Sequence, residues 1–118
     1  MRTLCGGSMI SSNWVRTSAN STPARFVWVR SADGKAHVVS LAMEANRPMI
    51  VAAPLTAITG HDVDIRDTMP KLFPRGEMMH RWFRRPGLAE VTAMRNGSLQ
   101  GAHLILAARA LGLDGGPM

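Results

Sequence analysis

The chain has 118 residues, of which 46% are hydrophobic and 19% charged, a balance that excludes the disordered class and leaves room for one domain-sized core but not two. Fourteen basic residues against eight acidic ones give a net charge of +6, and twelve of the fourteen are arginine, which favours contacts with anions. The single cysteine, Cys5, excludes an internal disulfide and matches no zinc spacing, so a reducing, cytoplasmic setting is expected.

In chain order, residues 11–25 are dense in Ser, Thr and Asn, whose side chains bond nearby backbone and favour turns, so this stretch reads as a loop. Phe26, Val27, Trp28 and Val29 predict a buried strand, with Ser31-Ala32-Asp33-Gly34 as the turn that closes it. Val38, Val39, Leu41 and Ala42 predict a helix from Lys35 that fades near Asn46-Arg47-Pro48. Met49 to Ala53 suits helix or strand equally, and Leu55 to Thr59 predicts a second strand ending at Gly60.

His61 to Arg66 reads as a polar loop. Met69 to Arg85 mixes Pro70, Pro74 and Gly76 with aromatic residues, predicting one or two short helices in a lid-like excursion. Pro86 is placed as the first residue of the longest helix, on which Leu88, Val91, Met94, Ser98, Gly101, Ala102, Ile105 and Ala108 recur every three or four positions. Leu99, Leu106 and Ala110 add a second apolar set, so this helix should be deeply buried or lie in a subunit contact. Gly112 suits a left-handed helix end, with residues 114–118 as a tail. Arg47, Arg95 and Arg109 interrupt the longest apolar stretches, so no membrane helix is expected, and Met1 to Ile10 is not a secretory leader.

Chemistry is sparse. Arg75, Arg81, Arg84 and Arg85 beside His80, Trp82 and Phe83 suit phosphate contacts with base stacking, the alternative reading of a small basic nucleic-acid-binding protein, but no helix-turn-helix, zinc-finger or single-strand-binding pattern surrounds them. His61, Asp62 and Asp64 read as solvated loop residues rather than metal ligands, and His103 as a core or interface histidine. No nucleophile elbow, triad order, dinucleotide fingerprint or phosphate loop occurs, so no catalytic residue and no metal site is assigned.

The stretch Thr17-Ser18-Ala19-Asn20-Ser21-Thr22-Pro23-Ala24-Arg25-Phe26 resembles the flavin-contacting loop of the nitroreductase family, in the malonic semialdehyde reductase branch of pyrimidine degradation. Ala53-Pro54-Leu55-Thr56-Ala57-Ile58, Lys71-Leu72-Phe73-Pro74-Arg75-Gly76, Met94-Arg95-Asn96-Gly97-Ser98-Leu99-Gln100 and Ala108-Arg109-Ala110-Leu111-Gly112-Leu113-Asp114 follow in that branch's order. The resemblance implies an α+β nitroreductase-like sandwich around a long central helix over residues 14–118, incomplete at both ends, with residues 1–13 unassigned. It further implies FMN at the interface of a homodimer and NAD(P)H as hydride donor. The implied reaction reduces 3-oxopropanoate to 3-hydroxypropanoate.

On that resemblance Thr17, Ser18 and Asn20 lie beside the isoalloxazine ring, while Pro117 and Met118 begin the segment along its reactive face. Arg95, Asn96 and Gln100 are structural or interface residues. The flavin then supplies the chemistry and the protein supplies orientation.

Overall fold

The computed structural model describes residues 15–118. The unassigned segment 1–13 lies outside the described residues. Two strands, β1 (Ala24–Val29) and β2 (Thr56–His61), and five helices, α1 (Ala32–Leu41), α2 (Arg47–Ala52), α3 (Ile65–Leu72), α4 (Glu77–Phe83) and α5 (Leu88–Ala110), make an α+β fold. Residues 15–25 and 60–115 form one compact unit, and residues 26–59 with 116–118 form another. The strands pair as a two-stranded sheet. The Asp62 amide just past β2 donates to the Pro23 carbonyl just before β1 at 2.8 Å, so the start of one strand meets the end of the other and they run antiparallel.

The second unit holds α1 and α2. Ser31 is the N-cap of α1, its Oγ accepting from the Gly34 amide at 3.1 Å. The expected turn at 31–34 is therefore the first turn of the helix, which starts three residues earlier than periodicity predicted, because a capping serine and a turn serine read alike. The ambiguous Met49 to Ala53 stretch is helical, as α2, with Pro48 in its first turn and Ile50 buried. Lys35 Nζ donates to the Val51 and Ala53 carbonyls at 2.8 and 2.5 Å, closing the end of α2 with a cation. Strand β1 is less buried than a run of Phe, Val, Trp and Val suggested, since Val27 is exposed.

In the first unit the core is Ile65, Met69, Phe83, Ala89 and Ala93, with Ala19 and Met79 packed against it. Ile65 and Met69 come from α3, Phe83 from α4, and the two alanines from α5. The lid-like excursion is thereby corrected: its two short helices exist, but they supply the largest side chains of this core. The polar loop expected at 61–66 is corrected too, because His61 ends β2 and Ile65 and Arg66 open α3. Phe83 is wholly buried and stands edge-on to Trp82 at 5.2 Å between ring centroids, which adds to the roughly 1.5–3 kcal/mol its burial contributes.

Helix α5 has 23 residues. It starts at Leu88, after a left-handed Gly87 (φ 75°), so Pro86 lies just outside it. It ends as expected at Gly112 (φ 78°), where the Gly112 amide reaches the Arg109 carbonyl at 3.0 Å and the Leu113 amide reaches the Ala108 carbonyl at 2.9 Å, the paired bonds of a Schellman end. Its buried residues are Ala89, Thr92, Ala93, Asn96, Gly97 and Gln100. Val91, Met94, Leu99, Ile105 and Leu106 lie on the opposite side and are exposed, Met94 and Leu106 at 63%. The periodicity named the helix correctly, but the face it marked is the one this chain leaves uncovered.

Phe83→Ala is expected to lower unfolding free energy by about 3–5 kcal/mol, the usual loss for emptying a fully enclosed phenylalanine site. Urea denaturation followed by Trp fluorescence checks this, with Val27→Ala on exposed β1 as the near-neutral comparison.

Candidate functional site

The first unit carries one segment whose backbone departs from ordinary conformations. Thr17 is extended, and the short 3-10 turn Ser18–Asn20 follows, but Ala19, Asn20 and Thr22 have φ of 51°, 53° and 38°. For residues with a Cβ that region is disfavoured by roughly 1–2 kcal/mol each. Local bonds shape the turn: the Asn20 amide donates to the Thr17 carbonyl, the Ser21 amide to the Ser18 carbonyl, and the Thr22 amide to Thr17 Oγ1, all at 3.1 Å.

Helix α5 holds both ends of this segment. Asn96 Oδ1 accepts from the Ser18 amide at 2.8 Å, and Gln100 Oε1 accepts from the Ala24 amide at 2.9 Å. Asn96 Nδ2 in turn donates to the Thr92 carbonyl at 2.8 Å, which fixes the amide's orientation. Asn96 and Gln100 are four residues apart, hence one turn apart on one face, and both are buried. A buried acceptor left without its donor costs about 1–3 kcal/mol, so the helix and the loop stabilise one another. The structural role expected of Asn96 and Gln100 is what the structure shows, and the loop is their partner. Arg95, between them and the exposed face, is exposed.

Further contacts join the loop to α3 and β2. Asn20 Nδ2 donates to the Leu72 carbonyl at 3.1 Å. Arg25 bonds the Thr22 and Ala24 carbonyls at 3.1 and 3.0 Å and pairs with Asp62 at 2.8 Å. Asp62 also accepts from the Asp64 amide at 3.0 Å, and Asp64 pairs with Arg66 at 2.7 Å. The two carboxylates weighed earlier as possible ligands are thus engaged with arginines.

Thr17, Ser18 and Asn20 are brought together in this one loop, with Ser18 and Asn20 exposed and Thr17 half-buried. Pro117 and Met118 belong to the other unit and are exposed. Asn20 Oδ1 has no partner among the described residues, and the buried Ser21 Oγ has none either. The loop therefore offers donors and acceptors of the amide and hydroxyl kind, suited to a flat heterocycle with a polar edge. His103 is exposed, which removes it from any core. Phe83, half of the aromatic pair that suggested base stacking, is buried in the core and cannot stack on a base.

Sequence comparison with curated proteins finds relatives over 102 to 107 residues. A Caulobacter protein (strain K31) provisionally named NADH dehydrogenase/NAD(P)H nitroreductase is 53% identical over 86% of this chain and 52% of its own length. A Xanthomonas oryzae protein of the same provisional name is 56% identical over 89% of this chain and 54% of its own. The chain spans about half the length of the curated relatives it matches. Among solved structures, a provisionally named nitroreductase in complex with FMN from Exiguobacterium sibiricum superposes with a TM-score of 0.75 over 97% of this chain and 62% of the other, at 17% identity. No protein-family model matches. The sequence is thus similar to nitroreductases and the fold is theirs over the shared part, whereas nothing found supports nucleic-acid binding.

Replacing Gln100 by Met, which keeps the length and removes the acceptor, is expected to expose the Ala24 amide. Its hydrogen exchange should accelerate about tenfold or more, for a loss of about 1–3 kcal/mol, while the Ser18 amide bonded to Asn96 changes less. Amide exchange followed by NMR reads both.

Proposed function

We propose that this chain forms part of an FMN-dependent NAD(P)H oxidoreductase of the nitroreductase family, with Thr17, Ser18 and Asn20 along the flavin ring. The observation that carries this reading is the loop 17–24, in which Ala19, Asn20 and Thr22 are left-handed between the two amides that Asn96 and Gln100 hold, with the Asn20 acceptor uncommitted. Backbone strain clusters at ligand sites, which supports reading this segment as one shaped in advance for a ligand. The relatives' names and the fold supply the class.

The residues fit the group. Asn20 Oδ1 can accept from the ring imide of the flavin, and the hydroxyls of Thr17 and Ser18 can donate to its carbonyls. Pro117 and Met118 are assigned, on the resemblance, to the backbone beside the ring's reactive edge. When bound, FMN carries the hydride from the nicotinamide to the oxidised substrate. The chain's own contribution is to orient: Asn96 and Gln100 fix the loop, and the loop fixes the ring's polar edge.

The substrate proposed is 3-oxopropanoate. Its aldehyde carbon gains a hydride and its oxygen a proton, giving 3-hydroxypropanoate, while NAD(P)H is oxidised to NAD(P)+. The partner proposed is a second copy of the chain, seated on the exposed face of α5 formed by Val91, Met94, Leu99, Ile105 and Leu106. A helix that exposes its large apolar residues and buries its amides is built to have that outer face covered.

Two measurements test this. Titration of the purified chain with FMN should quench flavin fluorescence with saturation, and Asn20→Ala should weaken binding by about tenfold, the usual effect of losing a hydrogen bond to a ligand; no quenching at high micromolar protein overturns the reading. Leu106→Glu should convert a sedimenting dimer to monomer, and an unchanged sedimentation coefficient removes the α5 face from the interface.

A further inference from the structure

Arg75 and Arg81 are exposed and line an open groove of about 600 Å3 together with Pro74, Glu77 and Met78. Among the described residues the ion pairs use Arg25, Arg66 and Arg109, so neither groove arginine is neutralised. Glu77 stands four residues before Arg81 on α4, the spacing at which a Glu and an Arg can pair on a helix, yet the two make no ion pair. The groove therefore keeps two guanidinium groups against one carboxylate.

The turn that presents Arg75 is closely packed. A Cβ on buried Gly76 would run into the Phe73 ring, so the ring lies directly on the glycine. The Phe73 carbonyl accepts from the Gly76 amide at 3.1 Å and from His80 Nε2 at 3.0 Å. Residues 73–80 are thus closed on themselves through the Phe73 carbonyl. The same segment is tied to the candidate flavin loop one residue before Phe73, where Asn20 Nδ2 meets the Leu72 carbonyl.

From this geometry we infer that Arg75 and Arg81 bind the oxyanion of a small-molecule reactant on its way to the loop, an inference that rests on the proposed flavin site for its purpose but not for its chemistry. Guanidinium groups hold planar and tetrahedral oxyanions by paired hydrogen bonds. Two sources share that chemistry: the carboxylate of the oxidised substrate and the phosphates of the nicotinamide donor. Met78, 79% exposed beside them, gives an apolar surface for the carbon skeleton attached to the anion.

NMR titration of the full chain tests the site with two probes, malonate for the carboxylate and inorganic pyrophosphate for the phosphates. Shifts are expected at residues 74–81, with affinity falling about tenfold or more in Arg75→Gln/Arg81→Gln, whereas Arg84→Gln/Arg85→Gln, outside the groove, should titrate as the native chain does. The probe with the tighter binding identifies the source. Shifts spread over all surface arginines, or equal affinity in the two double variants, overturn the inference. FMN titration of the same samples separates the outcomes: anion binding without flavin binding leaves this site and removes the proposed function, and the reverse removes this site alone.

Discussion

Two amide side chains on α5 organise the first unit. Asn96 and Gln100 each use an oxygen to hold a loop amide, at Ser18 and at Ala24, and between those two points the backbone takes a shape it would not keep alone. The effect is reciprocal, because the loop amides are what permit two polar side chains to lie buried on a helix. The small residues Ala89, Ala93 and Gly97 on the same face let α5 approach closely, and Ala19 of the loop packs onto the core that α3, α4 and α5 share. Loop, helix and core form one connected arrangement.

The same helix explains the chain's unusual surface. A helix normally buries its large apolar stripe and shows its amides to water. Here the division is reversed, since one side is already taken by the loop and core through small and polar residues. The large residues are left outward, where about a helix-length of apolar surface remains. In this way the internal polar bonds and the proposed partner surface are two sides of one constraint.

Much of the element list could be read from the residues. Helices α1 and α5, both strands and the left-handed end at Gly112 follow from periodicity, β-branched runs and a glycine, signals that act over a few residues. The errors came where a long-range partner decides. Met69 and Phe83 are core residues because α3 and α4 fold onto α5, which proline and glycine content cannot reveal, whereas Ser31 is a local exception, since a capping serine and a turn serine look alike. For α5, period identifies an apolar face, but only the rest of the fold, or a partner, decides what meets it. The loop at 17–22 was legible from its Ser, Thr and Asn content, but the flavin contact proposed for it came only from resemblance and its left-handed backbone from neither. Its positive φ values fall on Ala, Asn and Thr, of which asparagine alone hints at that conformation.

Because α5 grips the loop through main-chain amides at its two ends, the exposed Ser18 side chain is not what holds the loop there. At Ser18 and Ala24 the bond to α5 needs an N–H, which proline alone cannot supply. Between these mounts Ala19 packs on the core, Asn20 bonds the Leu72 carbonyl and Ser21 is buried, so it is the exposed Ser18 side chain, outside those duties, whose chemistry can be rewritten for a different reactant while the mounts, and the helix behind them, stay as they are.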